Sequence, residues 1–297
     1  MRIATFNCEN LFARYKFKRN FDPREADGFT INNLSFDIYD ETEKQITAQA
    51  IREVSADVIA LEEVESLPVL DSFNARYLGG MRYLHRIVID SHDPRGIDVA
   101  VLSRYPIVAV RSYRQERNTA NTAFLFSRDC LEAKIDVSGK LLTIYVNHLK
   151  SMMGGRNQTK PKRVAQAKRV AQIITNQWGS SNFDGNFVVL GDLNDYPDAN
   201  TSLGALLKHK GLVNVLDRLP KEDRWTHFYA GGNEYRQLDY LFLSSSLAAN
   251  NKNLPIVMRK GLPYRAERYK GKRLDNVGDD NPKASDHAPL AMDINLA

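Results

Sequence analysis

The chain has 297 residues, 43% of them hydrophobic and 26% charged, the proportions of an ordinary folded protein, which exclude collagen-like and disordered classes. Length alone allows two average domains, but layered α/β folds of this size often form one. A net charge of +5 and a pI near 9.0 favour polyanionic partners, although a merely solvated basic surface has the same composition.

From the amino terminus, polar Asn7 and Glu9 interrupt the apolar run of MRIATFNCENLF before a signal-peptide core can form. No segment approaches the roughly 20 apolar residues of a spanning helix, so a soluble protein is expected. The cysteines, Cys8 and Cys130, form no disulfide framework, and with the lack of an export signal this points to the cytoplasm. Apolar or β-branched runs predict strands at Arg2 to Asn7, Asp57 to Leu61, Ile97 to Ser103, Leu141 to His148, Phe187 to Leu190, Gln237 to Leu243 and Pro289 to Ile294. Helical spacing of apolar residues predicts helices over Glu41 to Ser55 and Lys162 to Trp178. The two kinds of element intersperse without a Pro/Gly/Ser-rich linker, which predicts one domain over residues 1–297.

Several strands end in chemically loaded residues. Asn7 in "IATFNCENLF" and Glu63 in "VIALEEVE" offer hard oxygen donors suited to Mg²⁺ or Mn²⁺. Glu62 and Glu65 read as solvent-facing charges. "IYVNHLKS" puts His148 at a strand end and Lys150 two positions on, a hydrogen-bond donor and a point charge for one phosphate. In "VVLGDLNDYPDA", Asp192 and Asn194 are spaced to address one site, the carboxylate aligning or deprotonating water and the amide binding a phosphate oxygen without repelling it. The same string also reads as a polar turn after a buried strand. Asp239 interrupts the apolar "LDYLFLS" and needs a partner if buried; His287 would serve, and Arg236 is the alternative. "ASDHAPLAMDI" sets Asp286 beside His287, a proton carrier near neutral pH next to a carboxylate for a metal; alone it equally makes a turn with an exposed histidine. His85, His92, His209 and His227 read as structural or surface residues, and zinc-ligand spacing is absent.

In order, "FNCEN", "LEEVE", "NHLKS", "GDLND", "LDYLFLS" and "SDHAP" resemble the endonuclease/exonuclease/phosphatase superfamily from Asn7 to His287. The resemblance implies a four-layer α/β/β/α sandwich of two packed mixed β-sheets with the active site at one end. It implies Glu63 as principal metal ligand, supported by Asn7 and Asp286; Asp192 as aligner or activator of water; Asn194 as holder of the scissile phosphate; and Asp239 as orienter of His287. His148 matches deoxyribonuclease-like and phosphatase-like branches and departs from abasic-site endonucleases. The string after Asp239 departs from inositol polyphosphate 5-phosphatases.

Three basic stretches, at Arg14 to Arg24 and Arg259 to Arg273 with interleaved aromatics and at Arg156 to Arg169 without them, follow or precede these strand ends and could grip a nucleic-acid backbone; they also read as solvated loops. The leading expectation is a metal-dependent nuclease using in-line water attack. A phosphatase or phosphodiesterase for lipid, inositol or other small phosphorylated molecules is the alternative, and a non-catalytic nucleic-acid-binding relative the third.

Overall fold

The computed structural model describes residues 1–17, 34–38, 40–179 and 183–296, the strands at 13–17 and 34–38 by backbone alone. The first sheet contains β1 (Arg2–Leu11), β4 (Val58–Val64), β5 (His85–Val88), β6 (Asp98–Ser103), β15 (Ile256–Val257) and β16 (Leu290–Asp293), in the order β15-β16-β1-β4-β6-β5. The second contains β7 (Ile107–Ser112), β8 (Cys130–Val137), β9 (Lys140–His148), β10 (Phe187–Asp192), β11 (Leu212–Asn214) and β14 (Asp239–Ser244), in the order β11-β14-β10-β9-β8-β7. Two hairpin pairs stand apart, β2 (Ala13–Phe17) with β3 (Leu34–Ile38), and β12 (His227–Tyr229) with β13 (Glu234–Arg236). The helices are α1 (Glu41–Val54), α2 (Leu67–Tyr77), α3 (Arg156–Trp178) and the short α4 (Gly204–Leu207) and α5 (Ser245–Asn250).

Period-2 alternation builds the layers. In β1 and β4, Ile3, Val58 and Ala60 face the second sheet and pack on Leu131, Ile144, Val188, Leu190 and Leu241. Their neighbours Ala4, Phe6, Ile59 and Leu61 face outward onto Ile46, Ile51, Val54, Leu70 and Phe73 of α1 and α2. On the far side Tyr145, Val189, Tyr240 and Phe242 pack on Ala167, Val170 and Ile174 of α3. The expected four-layer α/β/β/α sandwich is therefore observed, and both sheets are mixed. Strand β1 runs parallel to β4, and β9 parallel to β10, while the other pairings are antiparallel.

The predicted strands all occur, and β5, β7, β8 and α2 are further elements outside the predicted set, although Leu131, Ala133, Ile135 and Val137 of β8 alternate at strand spacing. Strand β7 is an exposed edge: its run Ile107 to Val110 is apolar but lies largely open to solvent. Helix α3 begins at Arg156, upstream of the predicted start and of Pro161. Proline there removes one backbone donor. The buried Arg163 guanidinium ties the start down instead, donating to the carbonyls of Lys150 (3.1 Å), Ser151 (3.3 Å) and Arg156 (2.8 Å). No helix among the described residues is long and apolar enough to cross a membrane.

The cysteines lie in different outer layers, Cys8 on the α1 side and Cys130 on the α3 side, and both are free and buried. Burial pushes both thiols well up from their ordinary range, so little reactive thiolate exists at neutral pH. The expected result is that a thiol reagent at pH 8 modifies neither cysteine in the native protein and both after denaturation; rapid labelling of native protein would contradict it.

Candidate active site

The parallel pairs β1/β4 and β9/β10 point the same ends of four strands at one edge of the sandwich, where a cleft of about 560 Å³ opens. Among the residues lining it are Asn7, Glu63, His148, Asp192, Asn194, Asp286 and His287. Asp239 lies directly beneath. The register sets Asp192 opposite His148 on one side and Asp239 on the other. Gly191 permits this spacing: its φ is +132°, and an added Cβ would lie 1.9 Å from the Asn147 carbonyl oxygen of β9.

Two interruptions of the first sheet aim its carboxylates. Between the pairs Glu62–Val99 and Val64–Asp98, Glu63 is an extra residue with φ +64°, a bulge that turns its side chain into the cleft. Strand β1 breaks likewise between Asn7 and Leu11, where Glu9 (φ 47°) and Asn10 (φ 66°) adopt left-handed backbone. The buried Lys44 of α1 holds this turn, donating to the carbonyls of Cys8 (2.7 Å) and Glu9 (2.6 Å). Asn10 then donates its backbone N–H to Glu63 Oε2 at 3.2 Å, and Asp286 donates its own to Glu9 Oε2 at 2.8 Å.

Asp192 is the most constrained group. Its Oδ2 accepts from Asn7 Nδ2 (3.1 Å) and Asn194 Nδ2 (2.8 Å), and its Oδ1 from the Asn194 backbone N–H (2.8 Å). His148 Nε2 stands 3.4 Å from the same Oδ2, and 3.9 Å from Glu63 Oε1. Burial raises Asp192 to about 7 against the opposing charge of His287, so it can exchange a proton near neutrality. His287 Nδ1 meets Asp239 Oδ2 at 2.8 Å, leaving Nε2 to face Asp192 (3.9 Å) and Asp286 (3.9 Å). Burial works against its charge, but Asp239 and Asp192 outweigh that and hold the imidazolium well above its ordinary range. Burial, reinforced by Arg128, pushes His148 well below it. The site thus sets a charged histidine beside a neutral one. Asp239 pairs with His287, and Arg236 pairs with Glu234 instead.

Sequence reasoning missed several residues. His227, read as structural or surface, lines the cleft; its Nε2 is 3.4 Å from Asp286 Oδ2 and its ring centroid 4.6 Å from that of His287. No local pattern marks it, because its partners lie some sixty residues away. Glu9 also lines the cleft, and burial beside Asp286 raises it to about 7. Arg95, Arg156, Tyr196, Tyr229 and Arg236 also line the walls. Lys150 is not among the lining residues; its backbone is occupied with Gln166 and Arg163.

Glu62, read as solvent-facing, is fully buried between the sheets, accepting from Thr5 Oγ1 at 2.7 Å. The bulge at Glu63 explains the exchange. Burial raises Glu62 well above the ordinary value near 4.5, with Asp239 and Asp192 adding to it. Stability from a carboxyl so raised is present in full below its unfolded pKa and lost as pH rises through the folded one. Glu62→Gln should therefore melt close to wild type near pH 4.5 and progressively higher by pH 8, each unit of pH traversed adding up to about 1.4 kcal/mol. Melting curves in chelator check this; a less stable variant at pH 8 would contradict it.

The basic stretches mostly serve the fold. Arg259 donates to the Trp225 carbonyl at 2.8 Å, Arg273 to those of Pro263 (3.1 Å) and Ala266 (3.0 Å), Arg265 pairs with Asp280 and Lys260 with Glu53. In the second stretch Arg163 is buried and Arg169 pairs with Glu116, while Arg156 lines the cleft. Arg156 pairs with Asp195 (2.6 Å) and Asp198 (2.7 Å) and lies 3.8 Å over the Tyr196 ring. The side chains from Arg14 to Arg24 lie outside the described residues.

Two sets of close donor atoms occur among the described residues, His227/Asp286/His287 and Asp192/Asp239/His287. Both require His287, whose Nδ1 is engaged by Asp239 and whose positive charge repels a cation. The oxygen donors of Asn7, Glu63 and Asp286 suit a hard divalent ion better. Burial and the neighbouring Asp286 raise Glu63, an unfavourable crowding of negative charge that such an ion relieves.

A family model described as "Endonuclease/Exonuclease/phosphatase family" matches residues 2–283. No curated protein sequence matches the chain. Among solved structures, the human Nocturnin catalytic domain with bound sulfate anion has 17% identity and a TM-score of 0.62, covering 100% of this chain and 94% of that one. The Bacteroides thetaiotaomicron mannosyl-6-phosphatase Bt3783 has 15% identity and a TM-score of 0.62, covering 100% of both chains. Danio rerio (D. rerio) TDP2 complexed with single strand DNA product has 15% identity and a TM-score of 0.60, covering 100% of this chain and 99% of that one. These likenesses establish a shared fold, and the family match runs through five of the six strand-end motifs and stops two residues before the last. The chain belongs to the endonuclease/exonuclease/phosphatase family.

Proposed function

We propose that the protein is a divalent-metal-dependent phosphodiesterase acting on nucleic acid. The observation that carries the reading is the convergence, in one cleft, of an Asp192 carboxylate held by two amides, a charged Asp239–His287 pair and the oxygen donors Asn7, Glu63 and Asp286. Asp192, kept near neutrality in its titration, aligns the attacking water and takes its proton. The amide of Asn194, whose two hydrogens go to Asp192 (2.8 Å) and the Leu149 carbonyl (3.2 Å), reaches a phosphate oxygen by exchanging the longer of these bonds, and the His287 imidazolium stabilises charge that accumulates on phosphorus-bound oxygens in the transition state. His148, neutral, lends a hydrogen bond without adding charge. A bound Mg²⁺ or Mn²⁺, held by Glu63, Asn7 and Asp286, would neutralise the phosphate and the leaving oxygen.

Nucleic acid is favoured over a small phosphomonoester because the cleft walls carry Tyr196 and Tyr229, and Arg156 and Arg236 lie over these rings. Such rings stack on bases, while the two arginines are matched by Asp195 and Asp198 and by Glu234 and brace the rings. The solved relatives include a TDP2 structure with a DNA product and a phosphatase of a phosphorylated sugar, and the second keeps a small-molecule substrate as the alternative reading. A panel of supercoiled DNA, linear DNA, single-stranded RNA, sphingomyelin and inositol phosphates, each with Mg²⁺, Mn²⁺ or chelator, tests the proposal. Cleavage of nucleic acid with metal, absent in Asp192→Ala, is expected; turnover of the small phosphoesters alone would overturn it.

A further inference from the structure

The β12–β13 hairpin stands beside His287 and divides the space around it. Its register pairs His227 with Arg236, Phe228 with Tyr235 and Tyr229 with Glu234, so His227 and Tyr229 share one face and Phe228 takes the other. Phe228 is buried with Trp225, Leu262 and Ala266, which anchors the hairpin. The opposite face lays His227 against His287, with ring centroids 4.6 Å apart. Tyr229 follows one strand repeat on, about 7 Å further along, within reach of one sugar. Tyr229 is 47% exposed, yet its ring is held: Arg236 lies over it at 4.9 Å, and the ring crosses Gly231, where an added Cβ would meet it at 2.8 Å.

Beyond Tyr229 lies a second cavity of about 450 Å³, which shares Glu9, Tyr229 and Asp286 with the catalytic cleft. The two are arms of one groove bent around the tyrosine. Ala230, Pro263, Arg265 and Lys283 line the second arm. Its cations are matched, Arg265 with Asp280 at 3.2 Å and Lys283 with Glu9 at 3.1 Å, so it is not a track for successive phosphates. An aromatic ring, apolar walls and paired polar groups in a pocket of this size suit a flat heterocycle with its sugar.

We infer that this second arm receives the nucleoside on the far side of the scissile phosphate, with Tyr229 as its stacking platform, so that the preferred substrate is a phosphodiester bearing a nucleoside on both sides. The inference rests on the nucleolytic reading above. Stacking of this kind is tolerant of base identity, so the arm selects for the presence of a second nucleoside and not for its sequence.

The test compares kcat/KM, in Mg²⁺, for a dinucleoside monophosphate and for the corresponding nucleoside 5′- and 3′-methyl phosphates, diesters lacking the second nucleoside. Wild type should prefer the dinucleoside over at least one methyl ester by about 5- to 150-fold, the range for loss of one base–aromatic stack. Tyr229→Ala should bring that ratio near one, and Tyr229→Trp should preserve it. Because the readout is a ratio, partial loss of folded enzyme lowers both rates alike and does not move it. Hydrolysis of both diesters with a ratio unchanged by Tyr229→Ala overturns this inference alone. Failure of wild type to hydrolyse any diester while turning over phosphomonoesters overturns it together with the reading beneath it.

Discussion

His287→Ala should lower kcat by about 10²- to 10⁴-fold while changing KM far less, since a positioned proton donor or charge acts mainly in the transition state. The geometry behind this is the 2.8 Å contact of Nδ1 with Asp239, which leaves Nε2 directed at the same space as Asp192, 3.9 Å away. Burial alone would strip the proton from this imidazole; Asp239 and Asp192 keep it. Asp239→Asn preserves size but removes the principal counter-charge, so burial prevails and the imidazole loses its proton at lower pH. The alkaline limb of the variant's pH–rate profile should therefore move toward acid, with a reduced maximum. Steady-state kinetics across pH 5–9 check both variants. If binding weakened while kcat survived in His287→Ala, the role assigned to the histidine would be wrong.

Chelation should abolish turnover, and Glu63→Gln should raise the metal concentration needed for half-maximal activity by more than the roughly 10- to 100-fold typical of residues one step removed from an ion. Glu63 reaches the cleft only because the bulge at φ +64° turns it there, and the Asn10 backbone N–H fixes one of its oxygens at 3.2 Å. The amide keeps the shape of the carboxylate and removes the charge a hard cation needs. Calorimetric titration with Mn²⁺ gives the affinity directly, and thermal melts supply a second readout: saturating metal should raise the wild-type Tm and leave that of Glu63→Gln much less changed. Full activity in chelator, or wild-type metal affinity in the variant, would remove Glu63 from the ligand set.

Much of the fold was legible because apolar and β-branched residues cluster in runs that end in polar groups, as in Phe187 to Leu190 and Leu141 to His148, and because helices α1 and α3 repeat apolar residues at helical spacing. The edge strand β7 was not among the predicted strands, although Ile107 to Val110 form an apolar run. At the site, residues that terminate apolar strands stood out, whereas His227, Glu9 and Tyr229 did not. Each owes its place to a partner distant in the chain: His227 to His287, Glu9 to the Asp286 backbone, Tyr229 to the hairpin packed on Trp225 and Leu262. The basic stretches misled in the other direction. Arg163, Arg259 and Arg273 look like free charges in one dimension and are anchors for carbonyls in three.

By itself, the sequence determined the interspersed strands and helices and the polar strand ends, because side-chain alternation and burial of apolar faces are local consequences of residue order; the layering of the two sheets followed from the family resemblance of its motifs. Only the tertiary structure decided which of the adjacent carboxylates Glu62 and Glu63 enters the cleft and which lies sealed between the sheets. A bulge is a mismatch in residue count between paired strands, and neither strand carries that count alone; it comes into being when β4 pairs with β6.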